Sequence, residues 1–575
     1  MINLSKPDEV KQVRAPQIGE GGVKEISPRI QSNTAHIHMP TTERKTWWHI
    51  ANNLRYIWHR HNFLCYLAIW LLITSYFIVS LVLKKKTQLS DVLPFTFLYV
   101  FISLKMLFAF VSTRTVTKYM TAASQIVTNN AIKLPLWMRY LVGAISILAI
   151  VLSVSLSAPD NSTGRRIDRM QSFLGILIIS LLMVAMSKHP RNIQWRTVIA
   201  GYLMQFCLGC IVIKTQWGEE FFSWLARMAS SLLEFSNLGT RFLLGDDFGS
   251  MTSVFSISVF PAIIFFASLV QAVCYLGGIQ WMLKRLGWFF YKTLGVSGAE
   301  SIVAAASPFI GQAENVLLVK DYIPHMTNSE IHACMTAGFA TISGSTLQGY
   351  IALGVDAKNI ITACIMSIPC SLALSKIRYP ETEESLTRGK MVDPPKSTDD
   401  VNVLHALGNG AAIGINLSLI IFANLVAIIS LVGLADFMLT WFGQFIGISD
   451  LTLELILGYI LYPYTWLLGV PSADVMKVSQ LLGLKFVTNE FVAYQRLNDA
   501  SRGASISSLL SMRGRNIAEF SLCGYGNISS IAQQIGALGT LAPSRNADFS
   551  RLALSACITG SIATCMSAAI VSMVM

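Results

Sequence analysis

The residues best equipped for chemistry in this chain lie where water should be scarce. Gly311-Gln312-Ala313-Glu314-Asn315 sets an amide, a carboxylate and a helix-breaking glycine inside an apolar run. Residues 301–310 precede it (Ser-Ile-Val-Ala-Ala-Ala-Ser-Pro-Phe-Ile), and Val316-Leu317-Leu318-Val319-Lys320 follows. Each arm is about ten residues, half of what a membrane-crossing helix needs. Two short apolar arms meeting at a polar tip read as a re-entrant hairpin, which a membrane tolerates only where it is buried in protein or lines a cavity. A carboxylate there is costly and marks a functional site. The plainer alternative is a soluble core helix with a buried, paired Glu.

A second tip favours the first reading. Ser472-Ala473-Asp474-Val475-Met476 opens another short arm, which breaks and resumes at Thr488-Asn489-Glu490-Phe491-Val492-Ala493-Tyr494. After the first tip runs Gly338-Phe339-Ala340-Thr341-Ile342-Ser343; after the second runs Gly524-Tyr525-Gly526-Asn527-Ile528-Ser529. Later, Ala363-Cys364-Ile365 is echoed by Ala556-Cys557-Ile558. Matches in the same order mark an internal repeat of the kind transporters use, with inverted units whose tips meet near the midplane.

Gln312, Glu314, Glu490, Asn527 and Ser530 are therefore expected to converge. Carboxylates beside amides and hydroxyls suit a neutral, polyhydroxylated solute, because a carboxylate accepts hydrogen bonds from vicinal hydroxyls. Tyr525 offers a face for a ring. An anionic substrate is disfavoured, since neither tip carries Arg or Lys. Gly and Ser interruptions in the helices after the tips expose carbonyls that suit a cation.

The elements that must position these groups follow from composition. The 575 residues are 53% hydrophobic and only 13% charged, against roughly 25% charged in soluble proteins. With several apolar runs long enough to span, this defines an all-α polytopic membrane protein. The net charge of +12 does not indicate nucleic acid, because no basic stripe is interleaved with aromatics. Lys and Arg crowd the ends of apolar segments, where they report topology. The ten cysteines read as small buried residues, and Cys207-Leu208-Gly209-Cys210 lacks the further ligands of a zinc site.

Residues 1–61 read as a disordered cytosolic tail without a cleavable signal peptide, its His36 and His38 solvated. Residues 62–157 hold three spans, at about 62–83, 92–112 and 137–157. Residues 158–298 add spans at about 171–187, 197–213 and 253–277, with interfacial amphipathic helices over 214–251. The loop at 158–170 falls outside and carries the sequon Asn161-Ser162-Thr163, a possible glycosylation site. Residues 299–377 form the first hairpin and two helices, at about 331–353 and 359–376; 378–410 form a cytosolic loop. Residues 411–470 hold a long scaffold helix (about 411–436) with connecting helices, and 471–575 the second hairpin and two helices.

These motifs together resemble the concentrative nucleoside transporter family. The carrying residues are Gly311 to Glu314, Met335-Thr336-Ala337-Gly338-Phe339-Ala340-Thr341-Ile342-Ser343-Gly344-Ser345, Tyr379-Pro380-Glu381-Thr382-Glu383-Glu384-Ser385, Asn489 to Tyr494, and Ser521-Leu522-Cys523 running on to Ser530. The resemblance covers roughly residues 170–575, and the preceding spans look like the longer, animal-type members. It implies sodium-driven nucleoside uptake across the plasma membrane by a homotrimer, each transport domain moving elevator-like against a trimerising scaffold. Gln312 and Glu314 would face the nucleobase, with Thr346 near it. Glu490, Asn527 and Ser530 would hold the ribose, with Tyr525 beside them. Sodium would bind Ser307, the backbone of Ile310, Thr341 and the backbone of Ile342, and no other cofactor is implied.

Four positions depart from the family pattern. Ser307 stands in place of a common Asn, Ala313 of Thr or Ser, Tyr525 of Phe, and Thr346 of an aliphatic residue. Proton coupling, or carriage of another small polar solute on the same scaffold, is the alternative these departures raise. A membrane-embedded hydrolase built on the two Glu residues lacks a nucleophile–base pair or metal cluster. The expectation is a transporter, not an enzyme.

Overall fold

In a computed structural model of the chain, residues 62–83, 151–155, 164–245, 254–312, 314–388, 400–448, 451–499 and 505–575 are described, with isolated positions between them. The tail at 1–61, most of the expected spans at 92–112 and 137–157, Asn161 and Ala313 lie outside them. Contacts divide the chain into two compact units, Met1–Gln88 with Phe95–Thr113, and Leu89–Pro94 with Arg114–Met575. The first unit contains helix α1 (Asn62–Leu83). There the Trp70 indole donates to Ser103 Oγ at 3.0 Å, and Phe77 stacks on Tyr99 with centroids 4.4 Å apart.

The described part of the second unit is helical throughout. It begins with α2 (Arg166–Ala185), α3 (Trp195–Lys214), α4 (Gln216–Leu244), α5 (Phe255–Tyr275) and α6 (Gly278–Leu294). The first hairpin arm is α7 (Gly298–Ala306), and past the tip come α8 (Asn328–Phe339), α9 (Gly344–Ala352) and α10 (Ala357–Arg378). The long helix α11 (Val403–Phe445) and α12 (Leu453–Leu467) lead to the second hairpin, α13 (Val475–Val487) and α14 (Glu490–Asn498). After a single turn at Ile506–Leu509 come α15 (Met512–Leu522), α16 (Ile528–Leu541) and α17 (Asn546–Val574). The half-length arms, the breaks after each tip and the closing span of each repeat all recur in order.

Among the described residues six helices are long and apolar enough to cross a membrane. Of these, α10 and the last helix are almost wholly buried, whereas α11 is almost wholly exposed. Small residues set the close approaches in both the last helix and α11. Helix α17 presents Ala553, Ala556, Gly560, Ala563 and Ser567 inward, the small-residue spacing by which membrane helices approach closely. A Cβ on Gly560 would lie 2.7 Å from Phe339 Cβ, so α17 and α8 meet backbone to backbone. Helix α11 buries a stripe of Ala406, Gly410, Gly414 and Ser418; a Cβ at Gly410 would lie 2.6 Å from Ser268 Cα and one at Gly414 2.6 Å from Ile264 Cα, both on α5.

Three elements differ in detail from the sequence reading. The second arm of the first hairpin is not a helix of ten residues but two 3-10 segments, Asn315–Val319 and Ile323–His325. Its β-branched Val316 and Val319, and Pro324 with no N–H to donate, disfavour a regular α-turn ladder. Residues 214–251 contain one continuous 29-residue helix, α4, over their described part. The start of the expected cytosolic loop is packed, not free. Glu330 accepts from Ser385 Oγ at 2.5 Å and Thr387 Oγ1 at 2.9 Å, and Glu381 lies 3.6 Å from the buried Lys376, which also pairs with Glu300.

Candidate functional site

Each tip is placed by local rules. In α7 the Ser297 hydroxyl and Glu300 form a capping box, and the helix ends at Ser307 where Pro308 follows. The chain then turns at Gly311, whose carbonyl accepts from Glu314 N at 3.0 Å and Asn315 N at 2.9 Å. The tip rests on α8 at Gly338, where a Cβ would stand 3.2 Å from Gln312 Cβ. In the second hairpin the Asn489 side chain caps α14 by accepting from Val492 N at 3.0 Å, which leaves Glu490 as its first helical residue. A carboxylate there meets the positive end of the helix dipole.

The breaks are shaped by polar caps. Ser343 Oγ accepts from Thr346 N at 3.3 Å to start α9, and Asn527 Oδ1 accepts from Ser530 N at 2.8 Å to start α16. Gly524, at φ +96°, supplies the left-handed turn after α15. Helices α9, α14 and α16 therefore all begin on one cleft, lined by Ser343, Ser345 and Thr346, by Asn489 and Glu490, and by Asn527, Ser529 and Ser530.

Gln312, Glu314, Thr346, Glu490, Tyr525, Asn527 and Ser530 all line this cleft. Glu490 is the anchor. Its Oε1 accepts from Tyr350 Oη at 2.8 Å and its Oε2 from Asn527 Nδ2 at 2.8 Å. Gln312 bridges the repeats, its Nε2 lying 3.3 Å from Gln533 Oε1 and 3.5 Å from Ser530 O. Its buried Oε1 has no hydrogen-bond partner, so an acceptor stands ready for a ligand. None of the described lining residues is Lys or Arg.

Tyr525 does more than present a ring. Its hydroxyl accepts from Ser343 N at 2.9 Å and lies 2.9 Å from Ser343 Oγ and 2.7 Å from Thr346 Oγ1, so it ties the two breaks together. Sequence reasoning missed Tyr350, Gln533 and Asn424. Asn424 is an isolated amide on apolar α11 that faces the cleft beside Leu417, Ile420 and Ile421; an intramembrane polar residue was the available signal.

The segments named for the cation also meet. Gly344 N donates to Phe309 O at 3.4 Å, joining the end of the first arm to the break after α8. Ser307 Oγ donates to Val303 O at 2.8 Å and Thr341 Oγ1 to Ala337 O at 2.9 Å. Each hydroxyl thus spends its hydrogen on its own helix and keeps oxygen lone pairs for another partner, and hard cations take such oxygens together with carbonyls. The donor set fits sodium. Among the described residues no group of three or more His, Cys, Asp or Glu could hold a metal.

Two hairpins on broken helices, closing one polar cleft inside an apolar bundle, define a membrane carrier. Residues 359–572 match the family described as Na+ dependent nucleoside transporter C-terminus, 174–247 its N-terminus, and 256–356 the nucleoside recognition family. The chain is 37% identical over 443 residues to solute carrier family 28 member 3 of Mus musculus, covering 76% of this chain and 62% of that protein. It is also 37% identical over 449 residues to sodium/nucleoside cotransporter 1 of Oryctolagus cuniculus, covering 76% and 67%. Among solved structures it resembles CNTnw in an inward-facing substrate-bound state (TM-score 0.65, 33% identity, 70% of this chain and 97% of that one). It is equally close to a doubly substituted CNTnw in an outward-facing state (TM-score 0.67, 34%, 71% and 99%). The chain belongs to the sodium-dependent nucleoside transporter family, a family of membrane transporters and not of enzymes. It spans about two thirds of the length of these two curated relatives.

Proposed function

We propose that this protein is a symporter that carries nucleosides into the cell with sodium. The observation that carries the reading is the shared cleft, with Gln312 and Glu314 from one tip and Glu490, Asn527 and Ser530 from the other repeat. A nucleoside has a flat base with amide-like edges and a sugar with vicinal hydroxyls. Gln312 and Glu314 pair with the base edge. Glu490, already oriented by Tyr350 and Asn527, accepts from the sugar hydroxyls, with Ser530 beside it. The Thr346 hydroxyl, close to Tyr525, lies by the base. Sodium sits on Ser307, Ile310 O, Thr341 and Ile342 O, where it braces the first arm against the break that begins α9.

Binding both ligands at one seam couples them: each orders a segment that the other also needs. The hairpins and broken helices then move as a transport domain against α11 and its neighbours, in a homotrimer at the plasma membrane with the N-terminus in the cytosol. The test is uptake of radiolabelled uridine and inosine with sodium replaced by choline, at two external pH values. Uptake is expected to need sodium; uptake that ignores sodium but rises with acidity would assign proton coupling instead. Competition by unlabelled purines, pyrimidines and sugars checks the substrate class, and a sugar that competes as well as uridine would overturn it.

A further inference from the structure

Asn315 follows Glu314 directly, yet it is fully buried and is not among the residues lining the cleft. Its Nδ2 donates to Ser307 Oγ at 2.9 Å. Because the only hydroxyl hydrogen of Ser307 goes to Val303 O at 2.8 Å, the oxygen lone pairs of Ser307 are what the Asn315 amide meets. That fixes the amide: the nitrogen faces Ser307, and Oδ1 is left buried with no hydrogen-bond partner. A buried carboxamide oxygen without a donor is rare in folded proteins and calls for an unseen partner.

Position names the partner. The amide backs onto α8, where a Cβ on Gly338 would lie 3.6 Å from Asn315 Nδ2, three residues before Thr341. The Gly344 N to Phe309 O contact draws the other candidate cation ligands to the same seam. We infer that Asn315 Oδ1 is a further ligand of the coupling cation, completing the set of Ser307 Oγ, Ile310 O, Thr341 Oγ1 and Ile342 O. A carboxamide oxygen is a neutral, hard donor of the class that binds such ions. It also answers the departure at position 307: the short serine there is backed by an amide from eight residues further on. This inference rests on the sodium reading above.

The experiment uses the full-length protein in two measurements, both with sodium exchanged for choline at constant ionic strength. One follows the unfolding temperature of detergent-purified protein against sodium concentration; the other follows uridine uptake in cells. In Asn315→Ala the sodium concentration for half-maximal stabilisation and for half-maximal uptake is expected to rise at least tenfold. The uridine KM at saturating sodium should stay within about twofold of the unsubstituted protein. Asn315→Asp, which adds a charge at the same oxygen, is expected to lower the half-saturating sodium several-fold. An unchanged sodium half-saturation in Asn315→Ala overturns the inference, even if the uridine KM moves, and Asn315→Asp decides in the same way if the alanine protein does not fold. If the unsubstituted protein responds to sodium in neither measurement, the sodium reading itself fails and the inference falls with it.

Discussion

The Tyr350 hydroxyl donates to Glu490 Oε1 at 2.8 Å, so a residue of the first repeat holds the carboxylate at the tip of the second. With Asn527 Nδ2 on the other oxygen, both carboxylate oxygens are held and the remaining lone pairs stay available to the cleft. Both donors are buried, so the geometry is set before a ligand arrives and little ordering entropy is lost on binding.

Glu490→Gln keeps the shape but presents an NH2 where one of two donors already points. A charge-assisted hydrogen bond contributes about 1.5–3 kcal/mol, so losing that character is expected to cut uridine uptake on the order of 100-fold at normal surface abundance. Tyr350→Phe removes one of the two donors and is expected to cost roughly 3- to 10-fold, mainly in KM. Initial rates of labelled uridine uptake, normalised to surface-biotinylated protein, check both. Near-normal uptake by Glu490→Gln would remove Glu490 from sugar recognition.

Tyr525→Phe leaves the Ser343 amide without its acceptor and takes one of three partners from the Thr346 hydroxyl, which keeps Ser343 O at 3.0 Å and Ser343 Oγ at 3.2 Å. Orphaning a buried donor costs about 1–3 kcal/mol, which in a chain of this length should appear as an unfolding temperature lower by about one to three degrees. Thr346 lines the cleft, so the lone pair that its hydroxyl regains should also change the ratio of inosine to uridine affinity. Thermal unfolding and cross-competition read the two effects separately. A protein unchanged in both would show that the Tyr525 hydroxyl does not tie the breaks together.

Both tips were legible in sequence because Gln312, Glu314 and Glu490 interrupt apolar runs too short to span, and no other arrangement satisfies their backbone in a membrane. The two breaks were legible from glycine and serine at matching places. What stayed hidden depends on partners distant in sequence. Tyr350 reads as an ordinary helical aromatic until its hydroxyl is seen 140 positions from Glu490. Tyr525 showed a ring to stack on, but not that its hydroxyl is occupied by Ser343 and Thr346. Helix α6 went unread because its signal is weak: an amphipathic stretch that buries Leu283, Phe290 and Leu294 between left-handed glycines at Gly277 and Gly295.

Lys485 is buried on α13 and donates to Ser521 O at 3.0 Å and Cys523 O at 2.9 Å. These carbonyls end α15, where a helix leaves acceptors unpaired and its dipole favours a cation. Lys485 thus pins the first arm of the second hairpin to the break that carries Tyr525 and Asn527. Lys485→Met keeps the length without the donors and is expected to cost about 2–4 kcal/mol through the orphaned carbonyls. Uridine uptake should fall steeply, with the half-saturating sodium nearly unchanged, because the proposed cation ligands lie in the other repeat. A large change in sodium half-saturation together with normal uridine KM would contradict that division.

The same break can be stressed from its far side. A Cβ on Gly526 would lie 1.9 Å from Ser561 Oγ and 3.0 Å from Ser561 Cβ. Gly526→Ala must therefore push the following residue, Asn527, away from α17 and loosen its hold on Glu490. Uptake is expected to drop at least 10-fold with a raised uridine KM, about 1.4 kcal/mol or more of lost recognition. Ser561→Ala on the same background removes the closest contact and should restore part of the affinity. Gly536→Ala, in the same helix that Asn527 caps but with open space around its Cβ, should leave uptake intact and stabilise the protein by roughly 0.5–1 kcal/mol. Equal damage from Gly526→Ala and Gly536→Ala would mean that α16 tolerates no added side chain anywhere, and that the contact with Ser561 is not what sets the position of Asn527.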